Sequence, residues 1–196
     1  MKVKKRIVYI IPGLGESYKT RRAYKTIARM FMARGISPIH VDIDWDRNSK
    51  ILFKDYVEQF LKQYKKPKDT DVFILGFSFG AMTAFLSANR TKPKALILCS
   101  LSPYFKEDLV NLKPKWLKWW RDNSIKSDYS FSKVVRSIKA KTYIIVEDVD
   151  AKNIQIRARE AHRDIPNSSL YIAKGAKHNI NQKEYLDTTE RVINKL

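Results

Sequence analysis

A chain of 196 residues with 44% hydrophobic content is long and apolar enough for one domain with a real core, which excludes a disordered polypeptide. Its 39 lysines and arginines against 20 acidic residues give a formal net charge of +19, concentrated at 2–6, 62–68, 113–121 and 133–141. Such a field attracts nucleic acid or an anionic membrane surface, but no nucleic-acid-binding motif accompanies it, so a lysine-rich solvated exterior is the plainer reading.

The lone Cys99 rules out an intrachain disulfide and suits a reducing cytoplasm. The apolar run behind the basic first residues stops at Pro12, short of the roughly 7 to 15 residues a signal peptide needs. No stretch approaches membrane-spanning length.

In chain order, Ile7 to Ile11 is a continuous β-branched and aromatic run, the pattern of a strand covered on both faces, and it ends in Pro12-Gly13-Leu14-Gly15. Tyr24, Ile27, Ala28 and Phe31 form a helical stripe stopped by Gly35. Pro38 to Ile43 predicts a second strand. Phe53, Tyr56, Val57, Phe60, Leu61 and Tyr64 predict a helix ended by Pro67. Between these last two elements, Asp42, Asp44 and Asp46 alternate around Trp45. They read as a polar rim rather than a metal site, with Trp45 as an apolar wall.

Val72 to Leu75 then runs into Gly76-Phe77-Ser78-Phe79-Gly80, followed by Met82, Phe85 and Leu86 at helical spacing. A serine at a sharp strand-to-helix turn projects its hydroxyl above the sheet edge, and the flanking glycines permit backbone approach that a Cβ would block. Ser78 is the candidate nucleophile.

Strands are predicted at Ala95 to Cys99, Thr142 to Val146 and Ser169 to Ala173, with helices over Ile154 to Asp164 and from Tyr185 to Leu196. This alternation predicts an α/β fold: a doubly wound, mostly parallel six-stranded sheet in a single domain over 1–196. The interval 103–131, about 29 residues, is too long for an ordinary crossover. It carries Trp116, Trp119 and Trp120 among lysines and is read as a small helical lid whose tryptophans line an apolar pocket, or as a surface helix packing them on the domain.

A serine hydroxyl needs an imidazole to take its proton and a carboxylate to hold that imidazole. Of the three histidines, His178 follows the sixth strand on the carboxyl edge, where Ser78 emerges. His40 falls in or near a strand and His162 in a charged helix. Behind the fifth strand, Glu147-Asp148-Val149-Asp150 offers three carboxylates, with Asp150 preferred and Asp148 the runner-up.

These motifs resemble the α/β-hydrolase superfamily over nearly the full length, in a compact form without the leading antiparallel hairpin. Gly76-Phe77-Ser78-Phe79-Gly80 is similar to its nucleophile elbow, and Ser78, Asp150, His178 follows its serine, acid, histidine order. The preference for Asp150 rests mostly on the family's glycine-x-x-aspartate loop, in which Glu147 replaces the glycine. Lys177 likewise replaces the second glycine of the family's histidine loop. The resemblance also implies an oxyanion hole from the amides of Phe79 and Leu14, with Gly15 as the alternative to Leu14. It implies a serine hydrolase of carboxylic esters or thioesters that needs no cofactor or metal. Two other readings use the same chain: a hydrolase-fold binding protein without catalysis, and a basic protein docking on nucleic acid or an anionic membrane.

Overall fold

The computed structural model describes residues 4–45, 53–111, 129–149 and 151–196. Six strands form one sheet: β1 (Lys5–Ile11), β2 (Ser37–His40), β3 (Thr70–Phe77), β4 (Ala95–Cys99), β5 (Lys141–Glu147) and β6 (Ser168–Ala173). Their order is β2-β1-β3-β4-β5-β6 and every neighbouring pair is parallel. The chain therefore changes direction of travel between β1 and β3. Open α/β sheets bind ligands outside the carboxyl ends of the strands at such a switch point.

Helices α1 (Arg22–Ala33), α2 (Phe53–Gln63), α3 (Phe79–Thr91), α4 (Phe131–Val135), α5 (Lys152–Asp164) and α6 (Lys183–Ile193) cover both faces. One core layer joins α2, α3, α4 and α5 to side chains such as Ile74, Leu96 and Ile144. The other joins α1 and α6 to Phe73, Leu75, Phe77, Tyr143 and Ile145. Because side chains alternate along a strand, neighbouring residues of β3 and β5 serve opposite layers, which is why both strands read as unbroken apolar runs.

Local chemistry fixes the element ends. Helix α1 stops where Gly35 takes φ 67°: its amide donates to the Met32 carbonyl (2.9 Å) and Ile36 donates to Phe31 (3.0 Å), a Schellman closure. Strand β2 ends at His40, three residues before the expected Ile43. Val41 still donates to Ile10 at 3.0 Å, but the Asp42 and Asp44 amides donate instead to the side chains of Gln63 (3.0 Å) and Gln59 (2.8 Å) on α2. No helix among the described residues is long and apolar enough to cross a membrane.

The interval 103–131 opens with a 3-10 helix, Lys106–Asn111, and returns into α4, an element the periodicity did not reveal. Its two ends are tied together. Lys106 donates to the Tyr129 carbonyl (3.0 Å), and Glu107 accepts from the Ser130 hydroxyl (2.6 Å) and the Phe131 amide (2.9 Å). Buried Arg157 of α5 pairs with Asp108 and lies 3.9 Å from the Phe131 ring centroid. Trp116, Trp119 and Trp120 lie outside the described residues.

Desolvation acts to raise the Glu107 carboxyl, but the Ser130 hydroxyl and the Phe131 and Ser132 amides outweigh it and bring it down to about 2. A carboxylate depressed on folding contributes stability above its ordinary value near 4.3 and loses it as pH falls toward the folded value. Corrected hydrogen-exchange protection of the Phe131 amide should therefore fall between about pH 4.5 and pH 2. In Glu107→Gln that dependence should be absent.

Candidate active site

The elbow follows from close contact between backbones. A Cβ on Gly76 would lie 2.2 Å from the Gly80 carbonyl oxygen, and one on Gly80 would lie 2.3 Å from the Ile11 oxygen and 2.4 Å from that of Pro12. Only glycine lets α3 start this near the ends of β1 and β3. Ser78, between them, takes φ 55° and ψ −117°, a conformation costly for a residue with a Cβ, and its amide donates to the Cys99 carbonyl at 2.8 Å. The turn leaves the hydroxyl half-buried above the carboxyl edge.

His178 reaches it from the loop after β6. Its Nε2 lies 3.1 Å from Ser78 Oγ, and its ring stacks on Phe77 with centroids 5.0 Å apart. On the other side, Nδ1 lies 2.6 Å from Oε1 of Glu147. The carboxylate facing the imidazole is therefore Glu147, where the sequence reading preferred Asp150. Asp150 itself lies outside the described residues.

The physical reason is the length of β5. The strand runs one residue past the apolar segment and pairs Glu147 with Ala173. Alternation then places Glu147 on the face of Tyr143 and Ile145, the face on which Phe77 carries His178. Asp148, the runner-up, accepts from the Gly175 amide at 2.7 Å and so fixes the backbone of the histidine loop rather than the imidazole. Val149 adds a second tie, donating to the Ala176 carbonyl at 3.1 Å.

Glu147 is fully buried and its second oxygen accepts from Ser100 Oγ at 2.5 Å. Burial alone would raise its carboxyl, but the hydrogen bond and charge of His178 and the hydrogen bond from Ser100 outweigh this and hold it below the usual carboxylate range. An ionised Glu147 only accepts, so Nδ1 carries the proton and Nε2 is bare, able to receive the Ser78 proton. Ser100 has spent its one proton on Glu147. The Tyr185 hydroxyl, 2.7 Å away, therefore donates to Ser100, and burial pushes that phenol well up so that it keeps its proton.

Ser100 and Ser102 were not singled out in the sequence. Ser100 mirrors Ser78 one strand along, with φ 53° and an amide donating to Ile145 at 2.8 Å. Ser102 is 2% exposed and its Oγ lies 3.2 Å from Ser78 Oγ. The available signal was their place directly behind the apolar run of β4, beside the strand that carries Ser78.

Phe79 is the first residue of α3, so its amide is among those with no intrahelical acceptor. In the loop after β1, Gly13 donates to the Tyr24 hydroxyl (2.9 Å) and accepts from the Glu16 amide (3.0 Å), while Tyr24 donates to Glu16 (2.6 Å). With the Gly13 amide engaged, Leu14 and Gly15 follow in the same turn. Leu14 is half-buried against the core layer containing Phe79. Trp45 is buried, with its ring centroid 6.3 Å from Phe79 and 4.8 Å from Tyr56, and Tyr104 meets Phe79 from the start of the insertion at 5.1 Å.

His40, its imidazole lowered by burial, stacks on Tyr18, and His162 bonds Ser168 at 3.0 Å; the imidazole that bonds Ser78 is that of His178. Among the described residues no three of His, Cys, Asp and Glu gather in a metal-binding group. A surface cleft of about 270 Å³, lined by Arg136, Lys139, Asp164 and Asn167, sits by the amino ends of β5 and β6, opposite Ser78.

This architecture is shared with solved proteins. Est1E from Butyrivibrio proteoclasticus superposes with a TM-score of 0.77 at 15% identity, over 98% of this chain and 86% of that one. MGS-MChE2, an α/β-hydrolase enzyme from a lagoon-sediment metagenome, gives 0.72 at 17% identity, over 99% and 91%. MenH from S. aureus gives 0.67 at 18% identity, over 99% and 95%. No protein-family model and no curated protein matches the sequence. The chain has the α/β-hydrolase fold, in a minimal form with six parallel strands.

Proposed function

We propose that the protein is a serine hydrolase that cleaves a carboxylic ester or thioester through an acyl-enzyme, with Ser78 as nucleophile, His178 as base and then acid, and Glu147 in the place first given to Asp150. The observation that carries this is the unbroken hydrogen-bond line from Ser78 Oγ to His178 Nε2 (3.1 Å) and from Nδ1 to Glu147 (2.6 Å), starting at a strained elbow. The solved proteins of this fold include several described as esterases or hydrolases, which supports the hydrolase class.

Ser78 Oγ forms a bond to the acyl carbon while its proton passes to Nε2 and the carbonyl π pair moves onto oxygen. Amides of Phe79 and Leu14 receive that oxyanion. Collapse restores the carbonyl, breaks the bond to the alcohol or thiol, and returns the Nε2 proton to the leaving group. Water, deprotonated by His178, then attacks the acyl-enzyme and frees Ser78. The aromatic wall of Phe79, Trp45 and Tyr104 favours an apolar acyl group. A small helical lid over 103–131 belongs to the same reading. So does a reducing compartment, which the single buried Cys99 suits.

Intact-mass analysis after fluorophosphonate treatment tests the nucleophile without a known substrate. Wild type should gain one adduct, Ser78→Ala none, and His178→Ala should label far more slowly. A folded wild type that gains no adduct overturns the proposal.

A further inference from the structure

Resting on the hydrolase reading above, we propose that Ser102 is a further catalytic residue, one that favours release of the acyl group from Ser78 over its retention. Its hydroxyl is buried and 3.2 Å from the reacting oxygen, and Ser78 Oγ is the only side-chain partner it has among the described residues. The direction of this hydrogen bond follows from the rest of the site. Glu147 fixes the Nδ1–H tautomer, so the single Ser78 proton points at His178 Nε2. Ser102 must then be the donor and Ser78 Oγ the acceptor.

The strength of that bond changes through the cycle. In the free enzyme it ends on a hydroxyl oxygen that gains negative charge as His178 withdraws the proton, and hydrogen bonds to charged acceptors are the stronger kind. In the acyl-enzyme the same oxygen is the bridging oxygen of an ester, whose lone pair is shared with the carbonyl and accepts poorly. Ser102 thus stabilises free Ser78 relative to acylated Ser78. During deacylation it donates to the departing oxygen as the Oγ–acyl bond breaks and that oxygen takes the pair, before His178 returns the proton. Losing the donor should cost the acyl-enzyme's breakdown more than its formation.

The test uses p-nitrophenyl acetate, whose acylation releases a coloured leaving group, with rapid-quench intact mass to count acyl-enzyme. In Ser102→Ala, kcat should fall about tenfold with KM falling in parallel, so that kcat/KM holds, and the acylated fraction at steady state should rise. Ser102→Thr, which keeps the hydroxyl, should restore kcat and return the acylated fraction to the wild-type level. A Ser102→Ala protein that labels with fluorophosphonate and shows wild-type kcat and acylated fraction overturns the role of Ser102. Equal loss of kcat and kcat/KM with no extra acyl-enzyme also overturns it, because that reports a displaced nucleophile. Failure of the wild type to label with fluorophosphonate instead overturns the underlying hydrolase reading, which separates the two.

Discussion

Glu147→Gln is expected to lower turnover by about 10⁴-fold while leaving the fold intact, by analogy with the carboxylate-to-amide change in the serine protease triad. The side chain keeps its size and its place at the end of β5, but it loses the charge that stabilises a protonated His178. Its amide nitrogen also becomes a donor. If it faces Nδ1, the imidazole must carry its proton on Nε2, where it can no longer accept from Ser78. The Ser100 hydroxyl, 2.5 Å from the second oxygen, favours keeping an acceptor on that side and so turns the amide nitrogen toward the histidine. Fluorophosphonate labelling should slow in step with turnover, and circular dichroism should be unchanged. Asp150→Asn should leave both rates alone. If Asp150→Asn abolishes labelling while Glu147→Gln spares it, the carboxylate at work is Asp150.

Gly80→Ala should destabilise the protein by more than about 3 kcal/mol, against the roughly 1 kcal/mol gain that alanine brings to a helix interior. The new Cβ would sit 2.3 Å and 2.4 Å from two carbonyl oxygens at the end of β1. Those atoms are backbone, at the end of a strand held between β2 and β3, and no rotamer relieves the clash. For a chain of this size the melting temperature should fall by about 6–12 °C. With β1 held in the sheet, relief is expected from movement of α3 away from the β1 loop, which carries Ser78 away from His178 and Phe79 away from Leu14. A thermal melt and a labelling assay on one sample check both consequences. An unchanged melt with full labelling would show that the loop after β1 yields instead.

The parts of the site that sequence made legible are those set by local backbone chemistry. Gly76 and Gly80 announce the turn because no other residue type permits that backbone approach, and Ser78 stands between them. His178 stands out because it follows an apolar run into a glycine-bearing loop. The six strands are legible because a sheet buried on both faces requires continuous apolar segments, and each expected strand is present with ends shifted by a few residues.

That Glu147 rather than Asp148 meets the imidazole depends on where β5 stops and which side of the sheet each of the two faces. Pairing of Glu147 with Ala173 and the stacking of His178 on Phe77 bring Glu147 and His178 together, and both partners are distant in sequence. The same holds for Ser100, Ser102 and Tyr185, small or aromatic polar residues whose roles arise only when β3, β4, β5 and α6 lie side by side. Sequence by itself determined the sheet, the elbow and the imidazole, because these follow from bonding between near neighbours. Tertiary structure decided the carboxylate and the hydroxyls around it, because a buried charge is assigned by whichever donors surround it.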